Sequence, residues 1–87
     1  MSRPDMELSQ HAQEMLSERN IREEWVWRTV DTPHRRHKGK DGNIHYTKSI
    51  KERGGRFLRV VVNPAVHPNR IVTVFFDRSL GKRIVRK

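Results

Sequence analysis

The spacing of apolar residues changes once along this chain, at Pro33, and that change limits the folds open to it. Before Pro33, Leu8, Ala12, Met15 and Leu16 fall on one helical stripe. Ser9 is a good N-cap, because its hydroxyl can accept from a backbone N–H of the first turn. Asn20 suits the left-handed position that closes a helix. The spacing therefore predicts a helix over about residues 10–19, and residues 6–8 before it suit a terminal strand. A second helix fits residues 22–31. Ile21, Trp25 and Thr29 make one row of it, Val26 and Val30 the next. Glu23 and Glu24 lie in the first turn, where the helix dipole favours acids. Pro33 ends it by pushing residue 32 out of the helical region. With one or two residues between them, the two helices read as a helical hairpin.

After Pro33 the period becomes two. Residues 34–38 are polar and suit an edge strand, and Gly39, Lys40, Asp41, Gly42 and Asn43 form a turn cluster. Residues 44–50 alternate as a strand with one apolar face. A turn at residues 51–55 leads to a strong strand over 56–62. Asn63 to Asn69 is a loop with two prolines, and residues 70–77 are β-branched and aromatic, as a buried strand should be. The expectation is an α+β fold, with an N-terminal helical hairpin packed on one face of a small antiparallel sheet. Leu58, Val60 and Val62 should face the helices together with Val72, Val74 and Phe76. Arg59, Val61, Thr73 and Phe75 then point the other way. If Ile44, Tyr46 and Ile50 face inward, His45, Thr47 and Ser49 join Arg59. A one-residue slip reverses this, and the pattern leaves both registers open. Residues 1–87 make a single domain. The basic tail, residues 79–87, is open to a short strand, a helical turn or disorder.

Nineteen Lys and Arg against ten Asp and Glu give a formal charge of +9, which points to a polyanionic partner. Seven of the ten acids precede residue 32, so the sheet half carries the positive excess. Hydrophobic residues are 33% of the chain, low enough to suggest disorder, but their clustering into stripes and strands argues for a fold. There is no cysteine, which excludes disulfides, thiolate zinc sites and cysteine nucleophiles. The first eight residues contain no apolar leader, and no apolar run approaches a membrane span. A cytoplasmic protein is expected.

His34 and His37 have a spacing that some metal sites use, but Arg35, Arg36 and Lys38 surround them and oppose a dication. No metal and no cofactor are expected. His67 lies in a loop, and His11 reads as a packed histidine holding the first helix to the sheet. Trp25 and Trp27 lie about 200° apart on a helix, so one must be partly exposed. It either covers a helix–sheet edge or anchors a partner. His45 has the most interesting setting, mid-strand beside Tyr46 and Lys48 with Arg56 and Arg59 on the next strand. RNA cleavage without metal needs a base for the 2′-hydroxyl, an acid for the leaving 5′-oxygen, and cations for the phosphorane. These residue types can supply all three, and a sheet that binds RNA passively would carry the same ones.

Ser9, His11, Ala12, Met15, Arg19, Asn20 and Ile21, followed by the short acidic helix through Val26 and Val30, resemble the opening of a small uncharacterised bacterial and phage family. The segments 58–62 and 71–75 are similar to its two hydrophobic strands. That family looks like the BrnT toxins and, more distantly, the RelE/ParE toxin fold. The resemblance covers about residues 6–78. Glu14 and Asn20 replace the arginine and glycine usual at those places; Asn20 keeps the turn chemistry, whereas Glu14 supplies no cation. The resemblance implies a RelE-like, metal-independent endoribonuclease toxin, acting on RNA, often with the ribosome, and neutralised by an acidic antitoxin. ParE-type relatives poison gyrase instead. His11, Arg19, Lys48 and Arg59 match best. On this reading His45 or Lys48 is the base and Arg59 stabilises the phosphorane. His11, Arg19, Tyr46, Arg56 and Arg78 hold RNA. A non-catalytic nucleic-acid-binding module and a protein-interaction domain with a basic sheet face remain the alternatives.

Overall fold

The computed structural model describes residues 5–79. The chain runs through β1 (Met6–Leu8), α1 (Gln10–Glu18), α2 (Glu23–Asp31), β2 (Arg35–Lys38), β3 (Ile44–Ile50), a 3-10 turn (Lys51–Arg53), β4 (Arg56–Asn63) and β5 (Asn69–Phe76). α1 begins and ends at capping residues. The Ser9 side chain accepts from the Ala12 N–H at 3.0 Å. At the other end Asn20 adopts φ 54°. There the Ile21 N–H reaches the Leu16 carbonyl at 2.9 Å and the Asn20 N–H reaches Ser17 at 3.5 Å. This paired pattern closes a helix with one left-handed residue, which Asn tolerates. α2 carries Glu23 and Glu24 in its first turn and stops at Asp31, before Pro33.

The strands form one sheet in the order β1-β5-β4-β3-β2. β2 to β5 are antiparallel neighbours, but β1 runs parallel to β5, with Met6 opposite Asn69 and Leu8 opposite Ile71. The sheet is therefore mixed, where a wholly antiparallel one was expected. The cause is local. The β2–β5 meander leaves the outer edge of β5 unpaired, and the residues before α1 fill it. The Ser9 N–H extends the pairing to the Ile71 carbonyl at 3.0 Å, and Met6 and Leu8 pack on the core.

One face of the sheet carries the core. Tyr46, Ile50, Leu58, Val60, Val62, Ile71 and Val74 pack against Ala12, Ile21, Trp25, Val26 and Val30 of the helical layer. Removing this apolar area from water is the dominant stabilising term in a chain so poor in hydrophobic residues. The inward set of β5 differs from the expected one at one position. A register shift between Val61 and Val62 places Val62 opposite Ile71, so Ile71 is buried where Val72 was expected. A bulge inserts one residue and reverses the alternation beyond it. Trp25 is the buried tryptophan, edge-on to Phe76 at 6.3 Å. Trp27 is half-buried and donates to Glu23 at 2.9 Å. At the β3–β4 turn Gly54 and Gly55 adopt φ 69° and 82°, which side-chain-bearing residues rarely reach. No described helix is long and apolar enough to cross a membrane. The basic tail falls outside the described residues from residue 80 onward.

A two-pronged ion pair ties α2 to the β3–β4 turn. Arg28 donates to both carboxylate oxygens of Glu52, at 2.9 and 3.0 Å. Arg28 holds the Glu52 carboxyl down at about 2, from an ordinary 4.5. A carboxyl depressed on folding stabilises the fold above its unfolded value, and that contribution is lost as acid protonates it. Wild-type urea midpoints should therefore fall between pH 4.5 and pH 2. Glu52→Gln should flatten that part of the profile while lowering the neutral midpoint slightly.

Candidate nucleic-acid interface on the open sheet face

Strand alternation sends every second residue of β2 to β5 away from the helices. Opposite the core lie Arg35 and His37 of β2; His45, Thr47 and Ser49 of β3; Phe57, Arg59 and Val61 of β4; and Thr73 and Phe75 of β5. Both helices pack on the other side, and at the centre of this face Thr47 and Val61 are themselves buried. The pairing register builds two cross-strand rows. Arg35, Thr47, Arg59 and Phe75 form one, and His37, His45, Val61 and Thr73 the other.

A polar chain crosses these rows. Ser79 donates to Asp77 Oδ1 from its backbone N–H at 3.0 Å and its hydroxyl at 2.7 Å. Asp77 Oδ2 accepts from Arg59 Nε at 2.9 Å and Nη2 at 2.6 Å. The remaining arm, Arg59 Nη1, lies 3.2 Å from His45 Nδ1. His45 Nε2 lies 3.4 Å from Asp41 Oδ2 in the β2–β3 turn. The His37 ring stacks on His45, with centroids 5.1 Å apart and planes within 17°. The arginine and aspartate are largely sheltered, with side chains 17% and 15% exposed.

The electrostatics follow from these contacts. Burial pushes the Asp77 carboxyl up, but hydrogen bonds from Ser79 and Arg59 outweigh it and hold the group below the usual carboxylate range. The Asn43 N–H, then His45, hold Asp41 low against a smaller effect of burial. Burial against its neighbours lowers His37 first, and the nearby His45, Arg59 and Arg35 lower it further. Along β2, Arg35, Arg36, His37 and Lys38 are all exposed. Among the described residues none of the four forms an ion pair with an acid. Cations on an exposed edge strand also discourage pairing with another sheet.

Only two of the expected catalytic residues meet here. His45 and Arg59 are in contact, but Lys48 lies on the opposite face. Its ammonium donates to the Thr32 carbonyl at 2.8 Å, at the C-terminus of α2, where a cation suits the helix dipole. Tyr46 is likewise turned inward, 8% exposed, with its hydroxyl accepting from Arg36 at 3.4 Å. Lys48 and Tyr46 thus share the face of Ile44 and Ile50, because all four have the same parity in β3. Arg56 is exposed where β4 begins, opposite Ile50, and Arg78 is exposed just beyond Asp77. His11 and Arg19 belong to the helical layer, on the far side of the sheet from His45. His11 is exposed rather than packed, because the buried stripe of α1 passes through Ala12. His34 accepts from the Ser49 N–H at 3.2 Å and lies edge-on to Phe57. His67 is exposed, 3.8 Å from Asp5.

His37, Asp41 and Asp77 were absent from the expected site. The first two had a signal in the sequence. A five-residue turn centred on Asp41 places residue 37 opposite residue 45. Asp77 was expected only as the last residue of the strand over 70–77. Among the described residues no three His, Asp or Glu side chains converge as a set for a metal ion.

The fold and this face define a small α+β domain with a cationic, histidine-bearing open sheet. The chain belongs to a family described as a domain of unknown function, DUF4258, whose model matches residues 8–76. No curated protein and no solved structure matches it significantly.

Gly39 gives the turn its close approach to the site. A Cβ there would stand 2.7 Å from His45 Nε2 and 2.9 Å from Asp41 Oδ1. Gly39→Ala should keep the fold but displace the His45 ring or the Asp41 carboxylate. Two-dimensional NMR should show shifts at the ring protons of His45 and His37. Changes confined to the backbone of residues 38–40 would contradict this packing.

Proposed function

We propose that this chain is a metal-independent endoribonuclease that binds RNA across the open sheet face and cleaves it by attack of the 2′-hydroxyl. One observation carries the reading: a stacked pair of histidines, His37 and His45, lies beside the row that holds Arg35 and Arg59, on the sheet face turned away from the helices. Such a pair brings proton-transfer groups beside cations that can hold a phosphate, the two requirements of this reaction. Arginine suits phosphate because its planar fork donates two parallel hydrogen bonds. Arg35 supplies electrostatic attraction on this face, Arg36 and Lys38 add to it from the other side of the exposed edge strand, and Arg78 extends it beyond β5. Lys48 and Tyr46, turned to the helices, have no part in this proposal, nor do His11 and Arg19.

The resemblance to BrnT and RelE/ParE toxins extends the proposal. On that basis the fold is RelE-like, the RNA is messenger RNA, met at the ribosome, and an acidic antitoxin neutralises the protein. A second reading has an observation of its own. Arg59 is already engaged by Asp77 and His45. If those contacts leave it no donor for a phosphate when RNA arrives, the face binds without cutting and the chain is a nucleic-acid-binding module.

Incubation of the purified chain with single-stranded RNA in EDTA tests the proposal. Cleavage leaving 2′,3′-cyclic ends is expected, reduced about 100-fold or more in Arg59→Ala. Binding that weakens steeply with salt, without cleavage, would select the second reading. Absence of both would end both.

A further inference from the structure

We infer that His37 is the proton acceptor in this cleavage, and that His45 is a positioning residue held in one tautomer by the chain from Ser79 to Asp41. The inference rests on the ribonuclease reading. Its starting point is that both ring nitrogens of His45 are engaged. A guanidinium has only donors, so the 3.2 Å contact from Arg59 Nη1 requires a lone pair on His45 Nδ1. The neutral ring then carries its proton on Nε2, which faces the Asp41 carboxylate at 3.4 Å. Arg59 is not free to turn away, because Asp77 holds Nε and Nη2 and Ser79 holds Asp77. The turn also closes over Nε2, so that a Cβ at residue 39 would stand 2.7 Å from it. A residue whose proton position is set by its neighbours is positioned rather than available.

His37 is in the opposite situation. It is exposed on the edge strand, its ring rests on His45, and among the described residues neither of its nitrogens has a hydrogen-bond partner. The charged and titratable groups around it are Arg35 on β2, Asp41 in the turn, His45 on β3 and Arg59 on β4. Burial and the cations among these outweigh Asp41 and favour the neutral ring, which keeps a lone pair at neutral pH. The reaction then balances without a cofactor. The His37 lone pair takes the 2′-hydroxyl proton as the 2′-oxygen bonds to phosphorus. The bond from phosphorus to the 5′-oxygen breaks, and that oxygen takes a proton from water on the open face. The imidazolium returns its proton to solvent. The products are a 2′,3′-cyclic phosphate and a 5′-hydroxyl.

The test compares the full chain with three variants, using a short single-stranded RNA and its non-cleavable 2′-O-methyl analogue. His37→Ala should lower cleavage about 100-fold or more, and the residual rate should lose its acidic limb. Its affinity for the analogue should stay within about twofold, since the phosphate-holding arginines remain. His45→Gln, which keeps one donor and one acceptor, should slow cleavage about tenfold but leave the acidic limb in place. Nitrogen-15 NMR should find His45 at neutral pH carrying its proton on Nε2 alone, and Asp77→Asn should turn it into a mixture of tautomers. An acidic limb that survives in His37→Ala, or vanishes in His45→Gln, would overturn the assignment. So would a wild-type His45 protonated on Nδ1. If the wild-type chain leaves RNA intact, the ribonuclease reading fails and the role of His37 falls with it. The nitrogen-15 spectrum then still judges the restraint on His45 alone.

Discussion

Burial of alternate residues in β3, β4 and β5 against two short helices decides what the other face can do. Leu58, Val60, Val74 and Ile50 are fully withdrawn from water. Strand geometry does not allow their sequence neighbours on both sides to follow them. Arg59, His45, Thr73 and Phe75 are therefore held on the second face whatever their own preference. A slip of one residue in β3 or β4 would move His45 or Arg59 into the core, at the cost of burying a polar or charged group. The one-sided core thus makes the fold and orients the site with the same contacts.

The open face is less plainly cationic than the net charge suggests. Arg59 is matched by Asp77 and His45 faces Asp41. The cations without acid partners lie instead on β2, at the edge of the sheet. A polyanion would therefore be drawn first to β2 and only then meet the interior chain of hydrogen bonds. Each link in that chain is held by the next, which favours a fixed geometry over a mobile one. The arrangement separates attraction, carried by exposed Arg35, Arg36 and Lys38, from the ordered groups around His45.

Much of the fold was legible because it rests on local chemistry. Ser9, Asn20 and Pro33 mark helix ends through capping and backbone sterics, and the glycine-rich turns delimit the strands. What the pattern missed depends on pairing between distant segments. The parallel docking of β1 follows from an edge left vacant by the far end of the chain. The bulge opposite Val61 and Val62, which leaves Val72 unpaired in β5 and puts Ile71 in the core in its place, has no signature in the residues of β5. The site was half legible for a related reason. The register that turns Tyr46 inward also turns Lys48 inward and His45 outward, so a candidate site combining all three drew on both faces. His37 and Asp41 follow from the symmetry of the β2–β3 turn. Asp77 as the anchor of Arg59 required the pairing of β4 with β5.

Amide NMR of the labelled chain, titrated with a short single-stranded RNA, puts the central claim to the most direct test. Shifts concentrated at Arg35, His37, His45, Thr47 and Arg59, weakening together as salt rises, are the predicted result. Shifts gathered on α1 and α2, around His11 and Arg19, or no shift at all, would contradict it.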